Sequence, residues 1–157
     1  MSDTAAFLRR HEGLRLHPYR DSLGLWTWGY GSRITDRLLI EALENGCDFP
    51  LTLPQAEALL RAGICIATQD AKTLFPRFLS LSPLQQIALT SLAYHCGYGE
   101  LSQWDGLAEA IAQGDARRAA DEVLFVDGKS CAQVSKYAAM FPARAHETSA
   151  LLLDHPA

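Results

Sequence analysis

Residues 11–31 read HEGLRLHPYRDSLGLWTWGYG, and this stretch decides the fold of the N-terminal part of the chain. It holds one Glu, one Asp, one Thr, two Trp, two Tyr and four Gly in twenty-one positions. From Leu14 onward, apolar and aromatic residues alternate with other residues, which predicts strands rather than a helix. Residues 21–24, DSLG, separate two such runs, so the stretch predicts a β-hairpin or a small meander. Pro18 would be tolerated there only in an edge strand or at a strand start.

Helical patterns lie on both sides of this stretch. Ser2 or Asp3 can cap a first helix that reaches Arg10 to Gly13, where the glycine would stop it. Two later segments have the form of N-terminal capping boxes, in which a Ser or Thr is followed three residues later by Gln. They are ThrLeuProGln at 52–55 and SerProLeuGln at 82–85, and the second opens a strongly apolar helix ended by Gly97 or Gly99. Further helical patterns cover 107–125 and the residues after Pro142.

This layout predicts an α+β fold in a single domain. The chain has 157 residues, of which 48% are hydrophobic, and this is enough for one well-buried core. We expect a small β-containing N-terminal lobe at about 1–52 and a larger, mainly helical lobe at about 53–157. Because clefts between lobes are common binding sites, we expect the active site between these two.

Charge and hydropathy exclude several classes of function. The net charge is -4; residues 1–37 hold six arginines against four acidic residues, and the remainder is acidic. No segment is basic enough for general nucleic-acid binding, although the N-terminal arginines could be either a solvated surface or a mildly positive region that meets an anionic polymer. The chain has no apolar run of transmembrane length and does not begin with a signal-peptide pattern, so we expect synthesis in the cytoplasm and no membrane insertion.

The four cysteines, Cys47, Cys65, Cys96 and Cys131, have no spacing typical of a metal site. We therefore expect neither a metal nor another cofactor. Cys65 and Cys96 lie in apolar runs, where a free thiol packs as a small hydrophobic group. A disulfide formed after export and a redox role are the alternatives.

Three polar residues in the opening stretch form a candidate reactive set. Glu12 ends the first predicted helix, Asp21 follows the first strand, and Thr27 lies in the second. Glycosidic bond hydrolysis needs one carboxylic acid to protonate the leaving oxygen and one carboxylate to activate water or stabilise the oxocarbenium-like centre. Glu12 suits the acid because a helix C-terminus favours the protonated form, and Asp21 suits the ionised role beside Ser22. Thr27 could hold a water through its hydroxyl.

Each of these residues also has a purely structural interpretation. A glutamate at a helix end is commonly a surface charge, an aspartate before Ser-x-Gly commonly forms a turn, and a threonine in a strand commonly reflects β-propensity. The joint spacing of Glu12, Asp21 and Thr27 within GLRLxxYRDSLGLWTWGYG is what favours chemistry.

This spacing resembles that of the phage-type lysozymes, the endolysins of glycoside hydrolase family twenty-four. Their pattern is a helix ending in Glu-Gly-Leu-Arg, then Tyr-x-Asp-x-x-Gly-x-Trp-Thr-x-Gly-Tyr-Gly, and residues 12–31 match it almost position for position. The likeness continues more weakly over most of the chain. It implies a lysozyme-like fold and a muramidase that cleaves the β-1,4 bond between N-acetylmuramic acid and N-acetylglucosamine in peptidoglycan, with inversion at the anomeric carbon. Inversion requires carboxyl groups roughly 6.5–9.5 Å apart.

The resemblance also implies roles for individual residues. Glu12 would be the acid, Asp21 the residue that positions or activates water, and Thr27 its partner, while Tyr19 and Gly31 would contact the substrate. In the helical lobe, His95 occupies a place where the family tends to have a polar amide facing the sugar, so it is either a substrate contact or a satisfied helix-end histidine.

The last helix also carries residues that match the family. Arg144 and Glu147 occupy places like those of its basic and acidic residues. Arg144 could approach Glu12 and either stabilise its ionised form or simply fix its rotamer.

Two segments depart from the family pattern. The chain has Ser32 and Arg33 where the family usually has His-Thr, which puts local stability in question more than chemistry. Residues 123–142 also differ, which leaves open a modified glycan or another partner for the C-terminal lobe.

Three functions remain as alternatives. An active muramidase, expected to be monomeric, would be either an endolysin or a toxin delivered by a secretion apparatus, and it would need that apparatus or a holin to cross the membrane. A catalytically silent module could have kept the same fold, although it would have no chemical reason to keep Glu12, Asp21 and Thr27. A transglycosylase would not need the water-holding Asp21 and Thr27.

Overall fold

The computed structural model describes residues 2–125 and 134–154. The chain divides into two compact units, Met1–Cys65 and Ile66–Ala157. The described residues form eight α-helices, a three-stranded sheet and a short 3₁₀ helix at Phe78–Ser80, so the predicted α+β class is confirmed. In chain order the helices and strands are α1 Ser2–Glu12, β1 Arg15–Arg20, β2 Trp26–Gly29, β3 Ser32–Arg33, α2 Arg37–Glu44, α3 Leu53–Leu74, α4 Pro83–Leu101, α5 Asp105–Gln113, α6 Ala116–Leu124, α7 Lys136–Met140 and α8 Pro142–Leu152.

The sheet of the first unit is a meander, one of the two arrangements that the sequence predicts. Its strands are antiparallel in the order β1-β2-β3, with Tyr19 opposite Thr27 and Thr27 opposite Arg33. The pairing of β1 with β2 is irregular between Arg15 and Tyr19, and Pro18 lies inside this irregular part of an edge strand. An edge strand tolerates proline because its outer N–H groups need no ladder partner, so the prediction for Pro18 is confirmed.

Helix α1 is held on one face by the core of the first unit. Phe7 and Leu8 are almost completely buried, and Leu8 has no exposed surface. This packing fixes the last turn of the helix, which ends at Glu12 as the sequence predicts. The other buried hydrophobic residues of this unit are Ala5, Tyr30, Ile34, Leu43, Ala56, Leu60 and Ile64.

Both predicted capping segments begin helices. Before α4, Ser82 accepts from the Gln85 N–H while the Gln85 side chain accepts from the Ser82 N–H, so the capping box is complete. Before α3, the Gln55 side chain accepts from the Thr52 N–H at 2.8 Å, and it also accepts from the Thr52 hydroxyl at 2.8 Å. The hydroxyl therefore serves as a donor to Gln55, and only half of the box forms.

Helix α4 supplies the core of the second unit and packs against α8. Leu89 and Leu92 are completely buried. The backbone leaves helical geometry at Gly97, which has φ +74° and ψ 164°, as expected for a stop at this glycine. The chain then resumes the helix and reaches Leu101, so the predicted end at Gly97 or Gly99 marks a kink.

The described cysteines differ from expectation at one position. Cys47, Cys65 and Cys96 are free thiols, and Cys96 is half-buried. Cys65 is exposed, so its expected burial in an apolar run is wrong, because α3 turns this residue outward while Ile64 is 4% exposed. Cys131 lies outside the described residues, as does much of the 123–142 segment.

Within residues 2–125 and 134–154, no helix combines the length and apolar character needed to cross a membrane.

Candidate active site

Glu12 is the last residue of α1 and is partly buried. Its carboxylate lies against the backbone of Gly31: a Cβ atom placed on Gly31 would be 3.3 Å from Glu12 Oε2 and 3.8 Å from Glu12 Cδ. Gly31 has φ +79°, a left-handed conformation that side chains other than glycine rarely adopt. The absence of a side chain at residue 31 thus leaves room for the Glu12 carboxylate.

Asp21 closes the turn between β1 and β2. Its Oδ1 accepts from the N–H groups of Leu23 at 2.9 Å and Leu25 at 2.8 Å, and its own carbonyl accepts from the Gly24 N–H at 2.9 Å. The turn-forming role is therefore real, and it uses one carboxylate oxygen. No residue in 2–125 or 134–154 donates a hydrogen bond to the other oxygen, Oδ2.

Thr27 is buried in β2, where only 3% of its surface is exposed. Its hydroxyl donates to the Leu25 carbonyl at 3.1 Å, and the same carbonyl accepts from the Asp21 N–H at 2.9 Å. The backbone of Leu25 therefore holds both Asp21 and Thr27. Because the hydroxyl hydrogen is used on Leu25, Thr27 Oγ1 is left to act as an acceptor.

The Tyr19 hydroxyl interacts electrostatically with both candidate carboxylates, Glu12 and Asp21. Burial raises the pKa of its hydroxyl, the nearby Arg15 lowers it, and the charges of Glu12 and Asp21 raise it further. The net effect is a raised pKa, so the hydroxyl stays protonated. The Arg15 guanidinium lies 4.4 Å from the centre of the Tyr19 ring, which orients the ring.

A salt-bridge network supports α1 one turn before Glu12. The Glu57 carboxylate accepts from Arg9 Nε at 3.0 Å and Nη2 at 2.6 Å, and from the Tyr30 hydroxyl at 2.9 Å. The hydrogen bonds from Arg9 and then from Tyr30 lower the pKa of Glu57. Burial and the hydrogen bond to Glu57 raise the pKa of Tyr30.

A second network fixes the hairpin to α2. Glu44 accepts from Trp26 Nε1 at 2.9 Å and also pairs with Arg20, whose guanidinium lies 4.5 Å from the centre of the Trp26 ring. The hydrogen bond from Trp26 is the main reason that the pKa of Glu44 is lowered. Arg9 and Arg20 are thus each paired with a carboxylate, which offsets their charge.

His95 and Arg144 contact each other in the second unit. Arg144 is 4% exposed and its guanidinium donates to His95 Nδ1. The guanidinium also lies 5.5 Å from the centre of the Phe141 ring. The His95 and Phe141 rings pack edge to face, with their centres 4.3 Å apart. Tyr137 and Trp104 extend this aromatic cluster.

The contact with Arg144 joins two of the predicted site residues directly. A guanidinium has only donors, so His95 Nδ1 is the acceptor in this contact. The sequence pattern indicates His95 and Arg144 as separate candidates, whereas in the fold they form a pair.

Five of the seven predicted site residues belong to the first unit and two to the second. In the first unit, Glu12 meets Gly31, while Asp21, Thr27 and Tyr19 gather around the β1–β2 hairpin. No motif marks the supporting role of Leu25, which is a backbone role, or of Glu57, which is far away in sequence. The position of Leu25 between Asp21 and Thr27 is the only signal of its role. In the described part of the chain, no three His, Cys, Asp or Glu side chains cluster as a metal site would require.

A comparison with known families gives the class of the protein. An α+β fold with a helix-end glutamate facing a small meander is that of a lysozyme-like protein. The model of the phage lysozyme family matches residues 9–146, which is most of the chain, and the chain belongs to this family. Membership supports a muramidase or endolysin-type function in general, with peptidoglycan as the substrate and action on the cell wall. No curated protein matches the sequence.

Proposed function

We propose that this chain is a muramidase that hydrolyses the β-1,4 bond between N-acetylmuramic acid and N-acetylglucosamine, with Glu12 as general acid. The observation that carries the proposal is the juxtaposition of the Glu12 carboxylate with the backbone of Gly31, beside a hairpin that holds Asp21 and Thr27 through one residue. Family membership supports the general activity, and this local geometry supports the assignment of roles.

The position of Glu12 at the end of α1 supports the acid role. The C-terminal end of a helix carries a partial negative charge, which disfavours a second negative charge and so favours the protonated carboxyl. A protonated carboxyl can donate its proton to the glycosidic oxygen as the bond breaks. Partial burial of the side chain acts in the same direction.

The hairpin supports a water-positioning role for Asp21 and Thr27. Asp21 Oδ1 is fixed by two backbone N–H groups, which leaves Oδ2 for a water molecule. Thr27 Oγ1 donates its hydrogen to Leu25 and can accept one from the same water. A water that donates to both oxygens would direct a lone pair at the anomeric carbon. Attack from the face opposite the leaving group, with one water proton passing to the Asp21 carboxylate, would break the glycosidic bond and invert the configuration.

The remaining predicted residues would hold the glycan. We propose that Tyr19 and Gly31 contact the sugar at the reacting bond and that His95 and Arg144 are also glycan-binding residues. Arginine and histidine side chains hydrogen-bond, which suits the acetamido and hydroxyl groups of peptidoglycan sugars. We further propose a monomer that acts either as an endolysin or as a delivered toxin.

The test is the digestion of purified peptidoglycan, followed by mass spectrometry of the products. We expect reducing ends from the wild type and a loss of at least about 99% of the activity in Glu12→Gln, or about 3 kcal/mol of transition-state stabilisation. Glu41→Gln, which changes an exposed glutamate in α2, is the matched control and should keep full activity. Products with 1,6-anhydro ends would instead indicate a transglycosylase, and the absence of products from the folded wild type would refute an enzymatic function.

A further inference from the structure

We propose that Glu57 is a positioning residue that sets the contact between the Glu12 carboxylate and Gly31. The inference rests on the acid role proposed for Glu12. It concerns a residue of α3 that lies forty-five positions further along the chain and takes no part in the chemistry itself.

The Glu57 carboxylate joins two separate elements. Its Oε1 and Oε2 accept a two-pronged hydrogen bond from Arg9 of α1, at 3.0 Å and 2.6 Å. Oε1 also accepts from the hydroxyl of Tyr30, in the turn between β2 and β3, at 2.9 Å. Such fork-like pairs between arginine and carboxylate restrict orientation as well as distance. One side chain therefore fixes α1 relative to the β2–β3 turn.

Both partners of Glu57 adjoin the candidate site. Arg9 precedes Glu12 by three residues, which is about one helical turn, so the two lie on neighbouring parts of the same helix surface. Tyr30 is bonded directly to Gly31, whose backbone faces the Glu12 carboxylate. Glu57 thus binds one residue on each side of the Glu12–Gly31 contact. Arg9 lies one helical turn before Glu12, and Tyr30 is the residue before Gly31.

The residues on both sides of the Glu57 link are closely packed. The neighbouring Ala56 has no exposed surface, and its Cα lies 3.8 Å from where a Cβ of Gly29 would be. The start of α3 therefore packs closely against the end of β2. Tyr30 is 6% exposed, so its ring has little freedom to move away from the carboxylate.

The charges of Glu57 and Arg9 favour this link near neutral pH. Hydrogen bonds from Arg9 and Tyr30 lower the pKa of Glu57, and those to Glu57 raise the pKa of Arg9. The carboxylate and the guanidinium therefore stay ionised near neutral pH. The protonated Tyr30 hydroxyl remains a donor because its pKa is raised.

The test compares Tyr30→Phe and Glu57→Gln with the wild type on solubilised peptidoglycan strands. Tyr30→Phe keeps the ring and the charges and removes one link. We expect kcat to fall about five- to tenfold in each variant, because the acid loses its optimal position, while KM stays within about twofold. The ¹³C resonance of the Glu12 carboxyl carbon should shift in Tyr30→Phe, a neutral change, at constant pH.

The matched control is Glu109→Gln, which breaks the ion pair of Arg118 with Glu109 at 2.7 Å in the second unit. It removes the same type of charge and should leave kcat and the Glu12 resonance unchanged. If Tyr30→Phe lowers only the stability, with kcat and the Glu12 resonance as in the wild type, the proposal is wrong. The Glu12 resonance tests the positioning of the carboxylate even if the wild type proves inactive. If Glu57→Gln does not fold, Tyr30→Phe still tests the role of the link.

Discussion

Replacing Gly31 by alanine should separate the geometry of the acid from the stability of the fold. Alanine at this position must adopt φ +79°, and its Cβ would lie 3.3 Å from Glu12 Oε2. That separation is tighter than nine in ten contacts made by real Cβ atoms, so one of the two groups must yield by a few tenths of an ångström. The carboxylate is the end of a flexible side chain, so the carboxylate moves.

Gly31→Ala should have two effects, one on the free energy of unfolding and one on kcat. The left-handed backbone conformation costs a non-glycine residue roughly 1–2 kcal/mol of folding free energy. Gly46 has φ +85°, and a Cβ added there would have no atom of the described residues within 4 Å, so Gly46→Ala carries the same backbone cost without the contact. We therefore expect both variants to lose about 1–2 kcal/mol of unfolding free energy. Displacement of the acid should additionally lower kcat at least about tenfold in Gly31→Ala, equivalent to about 1.4 kcal/mol.

Urea unfolding and peptidoglycan hydrolysis measure the two quantities on the same samples. Gly46→Ala should hydrolyse peptidoglycan at the wild-type rate. If Gly31→Ala keeps the wild-type kcat while its stability falls as in Gly46→Ala, the Glu12–Gly31 contact has no part in catalysis. The role proposed for this contact would then be refuted.

Asp21 and the two paired glutamates provide further predictions. Asp21→Asn keeps an oxygen for the Leu23 and Leu25 N–H groups but removes the charge, so this variant should stay as stable as the wild type and lose most activity. Asp21→Ala should lose both stability and activity. Equal stability of the two variants in urea unfolding would contradict the turn role. Glu44 and Glu57 have pKa values lowered in the folded state, so the stability that they contribute is present above their ordinary value of about 4.5 and lost as the pH falls through the folded values. The unfolding free energies at pH 6 and pH 3 should therefore differ less in the double variant Glu44→Gln, Glu57→Gln than in the wild type. An unchanged difference would contradict a stabilising role for the ion pairs of Glu44 and Glu57.

Local patterns predicted those parts of the fold that local interactions determine. The alternation after Leu14 and the DSLG turn predicted the meander, because strand faces and turn hydrogen bonds depend on neighbouring residues. Ser82 and Gln85 predicted the start of α4 for the same reason. At Gly97 the sequence predicts an end and the structure has a kink, because a glycine with positive φ commonly stops a helix and no local pattern indicates that the helix resumes after it.

Contacts between distant residues could not be predicted in this way. Arg144 and His95 are 49 positions apart, and Arg9 and Glu57 are 48 apart. Each of these residues has an ordinary surface or helix-end interpretation by itself, and only the fold brings the partners together. The exposure of Cys65 is a further case, since an apolar run on a helix does not indicate which of its residues faces inward.

The division of the chain has a consequence for how such a protein can diverge. The residues proposed for bond cleavage lie within positions 12–31, and their supporting partners, Glu44 and Glu57, come before position 65. The Arg144–His95 pair and its aromatic neighbours come after it. Substitution or recombination in the downstream part of the gene would therefore alter the second cluster while leaving the acid, the hairpin and their salt bridges encoded together. Under the roles proposed here for the two clusters, glycan preference and bond cleavage would be inherited and selected as separate traits.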